Sequence, residues 1–174
     1  MNTRFGLLLL CCLLPLGSTA QEWSLDKSKT EIRFETENPA GDVAGTFDPP
    51  VAYTLRLDSL DLPSSKIKAK IDVRSLQSGL VARDAALMKE DYFDVEQFPF
   101  MTFESQKIEA VETRYLATGI LSIKGVTREV LIPFTFHDRI FEASFILKRK
   151  DYKIGGNNWM LGDEAKILLY LPVK

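Results

Sequence analysis

Lys66-Ile67-Lys68-Ala69-Lys70-Ile71-Asp72-Val73-Arg74 alternates apolar and charged residues without a break. Successive side chains of a strand point to opposite faces, so this spacing predicts a half-buried antiparallel strand with Ile67, Ala69, Ile71 and Val73 inward and the lysines in water. The same period recurs in Val51-Tyr53-Leu55-Leu57, Val130-Ile132-Phe134-Phe136 and Phe141-Ala143-Phe145-Leu147. Turn signals separate the runs: Asp48-Pro49-Pro50, residues 61–65, Lys124-Gly125, His137-Asp138 and Gly155-Gly156-Asn157-Asn158.

Working outward, the pattern predicts strands near 30–37, 43–48, 51–57, 66–75, 101–110, 114–123, 126–136, 139–149 and 164–173. The short connections imply antiparallel neighbours, and closing such a sheet removes exposed edges. The expected fold is all-β, an antiparallel barrel of about eight strands, which side chains can fill or which can hold one small ligand. The last strand, Ile167-Leu168-Leu169-Tyr170-Leu171, is apolar on both faces. Its outer face is expected to meet the insert, a partner subunit, or the N-terminal segment at Trp23.

One stretch breaks the alternation. From Gly79 to Tyr92 the spacing of Leu80, Leu87 and Met88 predicts a short helical insert near 80–91, capped by Ser78, before a strand resumes behind Pro99. Arg83 and Asp84 lie about 100° apart on such a helix and straddle its apolar line, which assigns them a structural role pinning the insert across the barrel.

The N-terminus has Arg4, an apolar run from Phe5 to Leu16, then Ser18-Thr19-Ala20. This is the pattern of a signal peptide spanning 1–20 and cleaved after Ala20, and the run is shorter than the roughly 20 residues a membrane span needs. The competing lipoprotein reading would use Cys11 or Cys12, but leucines rather than small residues precede them. A periplasmic or secreted protein without stable membrane insertion is expected, with one domain over 21–174 that holds no cysteine and must be stabilised by its core. Removing Arg4 takes the formal charge from −2 to −3, and with no basic stripe, nucleic acid is disfavoured as a partner.

Catalytic groups are scarce. His137 is the sole histidine and sits in a turn, no nucleophile elbow or phosphate loop is present, and one histidine without mature cysteine excludes the usual zinc sets. Glu90-Asp91, Asp94 and Glu96 lack calcium-loop spacing. No catalytic residue, metal or cofactor is expected. Apolar surface is abundant instead: the chain has 11 phenylalanines, concentrated in 93–103 and 134–145, with Met88, Met101 and Met160 as adaptable neighbours.

Several landmarks fall in one order: Trp23-x-Leu25-Asp26, Gly45-Thr46-Phe47, Gly79-x-x-x-Arg83-Asp84-x-x-Leu87, Tyr92-Phe93-Asp94-Val95, Phe98-Pro99-x-Met101-x-Phe103, Gly119-x-Leu121-x-Ile123-Lys124-Gly125-Val126-Thr127, and Lys148-Arg149-x-Asp151-Tyr152-x-Ile154-Gly155. The series resembles the YceI-like family of secreted lipid- and polyisoprenoid-binding proteins. The chain departs from that pattern at Ala85-Ala86, where many members carry a histidine. The resemblance implies a lipocalin-like barrel whose tunnel holds a long-chain isoprenoid or other amphiphilic lipid. Members are often dimeric, so a homodimer is an expectation carried by the resemblance alone. Large apolar residues on periodic faces or in the insert are the candidate tunnel lining: Phe34, Tyr53, Ile71, Leu87, Met88, Phe93, Phe103, Phe134, Phe136, Phe145 and Met160. The rival classes are a lipid- or quinone-modifying enzyme, with Asp84 its best base, and a ligand-free interaction or stress protein with a filled barrel.

Overall fold

The computed structural model describes residues 21–39, 41–158 and 161–174. The expected leader, Trp159 and Met160 lie outside the described residues. Among the described residues there are nine strands: β1 (Glu31–Thr36), β2 (Val43–Phe47), β3 (Ala52–Arg56), β4 (Lys66–Asp72), β5 (Phe100–Val111), β6 (Arg114–Ile123), β7 (Val126–His137), β8 (Ile140–Lys148) and β9 (Glu164–Pro172). The one α-helix among the described residues, α1 (Val81–Leu87), lies between β4 and β5. All pairings are antiparallel, and the strands form one curled sheet in the order β2-β1-β9-β8-β7-β6-β5-β4-β3.

No ladder joins the outer strands β2 and β3. Two other segments cross that seam. At one end Thr46 and Gln77 exchange backbone hydrogen bonds of 2.8 and 3.0 Å. Gly45 makes the approach feasible, because a Cβ there would lie 2.5 Å from the Phe34 ring and 2.8 Å from the Gln77 carbonyl. At the other end residues 22–26 act as a strap: the Trp23 N–H donates to Leu55 O at 2.7 Å, and Leu25 bridges Val173.

The N-terminal segment therefore does not cover the outer face of β9. It plugs the barrel end, with Trp23 packed 5.1 Å from Phe136. The outward Leu168 and Tyr170 instead line a shallow groove with Glu31, Arg33, Arg114 and Ser144.

The β7–β8 ladder is short, running only from Phe134↔Ala143 to His137↔Ile140. Both residues of the connecting turn, Asp138 and Arg139, have positive φ, the geometry of a tight two-residue hairpin turn. Counting back from the closing pair, alternate residues 137, 135 and 133 direct their backbone groups toward β8. Pro133 has no N–H to give, and the ladder stops there. Beyond the stop, the 3₁₀ turn Arg149–Tyr152 leans on β7, where Arg128 Nε donates to Asp151 O at 3.0 Å.

Candidate functional site

The barrel interior has two different halves. Around the N-terminal plug, Leu25, Leu55, Leu57, Ile108, Ala117, Phe134, Phe141 and Val173 form a packed cluster, supported by Trp23, Tyr115 and Phe136. Phe136 and Phe141 rings lie 4.4 Å apart. Toward the insert the same strands diverge around a cavity of about 430 Å³, within the range of roughly 300–1,000 Å³ typical of small-molecule sites. Phe141, Ala143, Phe145 and Leu147 of β8 and Ala165, Ile167, Leu169 and Leu171 of β9 all face it. The bordering face of β8, from Phe141 to Leu147, runs six residue steps, about 20 Å along the strand.

The mouth is roofed by the insert and, among the described residues, by 149–158, Leu161 and Gly162. Arg149 is buried and has no carboxylate partner among the described residues. Its Nε donates to Gly162 O (2.8 Å), Nη1 to Ile154 O (2.7 Å) and Gly156 O (2.9 Å), and Nη2 to Asn158 O (3.1 Å) and Leu161 O (3.0 Å). All five guanidinium N–H groups are thereby used on main-chain carbonyls of the loop. The Gly155 N–H donates to Asp91 O at 2.7 Å, and Lys124 Nζ donates to Glu90 O and Lys153 O. These bonds join the loop to the insert.

The insert is held from its own leading edge. Asp84 Oδ1 accepts from the Ser78 N–H at 2.9 Å and from the Ser78 hydroxyl, while Arg83 Nε donates to Ser78 Oγ at 2.8 Å. Ser78 does not cap the helix. Leu80 occupies that position without a side-chain bond, because the serine hydroxyl is engaged by both charged residues. Arg83 and Asp84 thus fasten the helix to residue 78, next to the Gln77 bridge, rather than reaching across the barrel. Both are only half-buried.

Of the candidate lining residues, Phe34, Tyr53, Ile71, Leu87, Phe93, Phe103, Phe134 and Phe145 border the cavity. Phe34, Phe47 and Phe93 form an aromatic series from β1 through β2 to the insert, with centroids 5.8 and 6.3 Å apart. Two candidates do not border it. Phe136 has the expected inward phase but sits in the packed end under Trp23, and Met88 lies about 100° around the helix from Leu87. Met160 lies outside the described residues. Sequence reasoning passed over Phe47, Tyr92, Tyr152 and Leu161, which also border the hollow. Phe47, Tyr92 and Tyr152 stand in the landmark series, which is the available signal; Leu161 does not.

Little here resembles a reaction centre. His137 is exposed and 3.0 Å from Asp138, far along β7 from the cavity mouth, and no group of three His, Cys, Asp or Glu suited to a metal is found among the described residues. No described helix is long and apolar enough to cross a membrane.

The family model for the YceI-like domain matches residues 23–172. The chain belongs to the YceI-like family. A UPF0312 protein of Photorhabdus laumondii is 28% identical over 122 residues, a match spanning 64% of each chain. Among solved structures, Burkholderia cenocepacia BcnA superposes with a TM-score of 0.80 at 24% identity, covering 85% of this chain and 98% of that one. A polyisoprenoid-binding domain from Saccharophagus degradans, implicated in plant cell wall breakdown, superposes at 0.61 with 12% identity, covering 90% and 100%. At these identities the structural likeness carries the fold alone.

Proposed function

We propose that this YceI-like protein is a non-catalytic carrier, exported after cleavage at Ala20 to the periplasm or beyond, that shelters a long-chain isoprenoid or similar amphiphile inside its barrel. The observation that carries the reading is the hollow half: about 20 Å of sheet lined by Ile71, Phe93, Phe103, Phe145, Ile167 and their neighbours, left unfilled by the protein's own side chains. Each methylene withdrawn from water gains about 0.8 kcal/mol, so a tail can be retained without a reactive group. The polyisoprenoid-binding description of the Saccharophagus domain supports this choice of ligand class. The exposed histidine and the use of Asp84 on Ser78 argue against the enzyme alternative.

Organic extraction and mass spectrometry of protein purified from its native compartment test the reading. One lipid per chain is the expected result, together with an intact mass beginning at Gln21. An extract free of lipid from a folded protein would favour the interaction-protein alternative, and turnover of added lipid would favour the enzyme.

A further inference from the structure

Both strands run on past the last rung of the β7–β8 ladder, β7 back to Val126 and β8 on to Lys148, without pairing to each other. By the phase of the closing pairs, Thr127, Glu129 and Leu131 on one bank and Ser144, Ile146 and Lys148 on the other aim their main-chain N–H and C=O groups into the seam. Among the described residues no backbone hydrogen bond joins 126–133 to 144–148. The inner sides of the banks, Ile132, Phe145 and Leu147, border the cavity, and the outer sides carry Leu131 at 57% and Ile146 at 59% exposure. The seam is an unzipped stretch of barrel wall with an apolar lip on each bank.

A side-chain latch spans its wide end. Arg128 lies opposite Leu121, on the inner phase of β7, yet its side chain is 51% exposed and turns out of the barrel to the turn Arg149–Tyr152. Nε donates to Asp151 O at 3.0 Å, and Nη2 lies 3.9 Å from Asp151 Oδ1. So exposed a pair holds weakly. Behind it the Tyr152 ring lines the cavity with its hydroxyl buried and without a protein partner, so the closed turn forgoes a hydrogen bond that opening restores. The other boundaries are tied more firmly. The β2–β3 gap is bridged by main-chain bonds near both ends, the roof by the five Arg149 bonds and by Gly155 and Lys124, and the floor is plugged by Trp23 and Leu25.

Building on the carrier reading, we propose that this seam is the lateral entrance to the cavity, through which an apolar tail slides between Leu131 and Ile146 when the turn Arg149–Tyr152 swings off Arg128. Sideways entry leaves a polar head in water while the tail crosses the wall, whereas end-on entry requires the bonded roof to come apart. The seam then sets how fast a lipid is loaded and released, and the cavity sets how tightly it is held.

The mature chain has no cysteine, so the two routes can be stitched selectively. Delipidated Leu131→Cys/Ile146→Cys protein, bridged across the seam with a bismaleimide, is compared with Glu90→Cys/Lys153→Cys protein, bridged between insert and roof. Each is mixed with farnesene, and occupancy is followed over time by native mass spectrometry, with the same protein before bridging as its control. Bridging the seam should slow uptake and release alike, by roughly tenfold, and leave final occupancy unchanged, while bridging the roof should leave the rates as they were. Arg128→Ala should load about threefold faster, because removing the latch favours the open turn. Unslowed uptake through the bridged seam, slowing by the roof bridge alone, or equal slowing by both would overturn the entrance while leaving the carrier reading intact. No farnesene uptake by the unbridged proteins or wild type would overturn both.

Discussion

The plugged floor and the roofed mouth of this barrel are built from the same alternating strands, yet one is solid and the other hollow. On β8, Phe141 packs against Phe134 and Phe136 in the cluster while also facing the cavity, whereas Phe145, four residues later and on the same face, borders the cavity outside that cluster. What differs is the closure. The floor is filled by a strap that inserts Trp23 and Leu25, whereas the mouth is spanned by α1 and by residues 149–158, 161 and 162, which hydrogen-bond to one another and to the insert through main-chain groups around the rim. Inward phase therefore makes a residue interior, and the closing segment decides whether that interior is core or site.

Truncation in the floor should have the largest effect on stability. Phe141→Ala removes a ring that is 3% exposed and packed against Phe134 and Phe136, and should cost about 3–5 kcal/mol, a fall in Tm on the order of 10 °C by calorimetry. A loss near 1 kcal/mol would mean that the floor is as loosely filled as the mouth. Asp84→Ala strands the Ser78 N–H and hydroxyl but at a half-buried site, so about 1–2 kcal/mol is expected from denaturant titration.

Phe93→Ala should separate stability from binding. It is expected to cost about 1 kcal/mol, since the ring is half-buried beside empty space, while sharply reducing retained farnesene. A folded Phe93→Ala protein with full retention would move the site away from the mouth.

The smallest effect belongs to the outer surface. Hydrogen bonding from Lys66 and Lys68 holds the Glu104 carboxyl below its ordinary value of 4.5. A lowered folded-state value stabilises above the unfolded value and is lost as pH falls through the folded one. Tm should decline slightly less steeply below about pH 4.5 in Glu104→Gln than in wild type, with ligand retention unaltered, which thermal scans across acidic buffers would check.

Strand periodicity made most of the sheet legible, because a period of two needs no tertiary knowledge. Where it overreached, local bonds explain the difference. The strand expected to 75 ends at Asp72, whose carboxylate accepts from the Arg74 N–H and turns Val73–Ser75 into a 3₁₀ turn. The helix expected near 80–91 shrinks to Val81–Leu87 because residues 88–98 are drawn into successive turns, with the Phe93 N–H bonded to Leu87 O at 3.0 Å. Height along the barrel was not legible, which is why Phe136 was grouped with the lining. Nor was Arg149: its partners are backbone carbonyls, and these leave no side-chain pattern to read.

The central claim is that the hollow half is the lipid site, and photo-crosslinking with a diazirine-bearing farnesol followed by peptide mass spectrometry addresses it most directly. Label is predicted on residues lining the mouth and waist, chiefly Phe34, Phe93, Phe103 and Phe145, with none on the outer groove of Leu168 and Tyr170. Label concentrated in that groove, with the inner residues unmodified, would contradict the account.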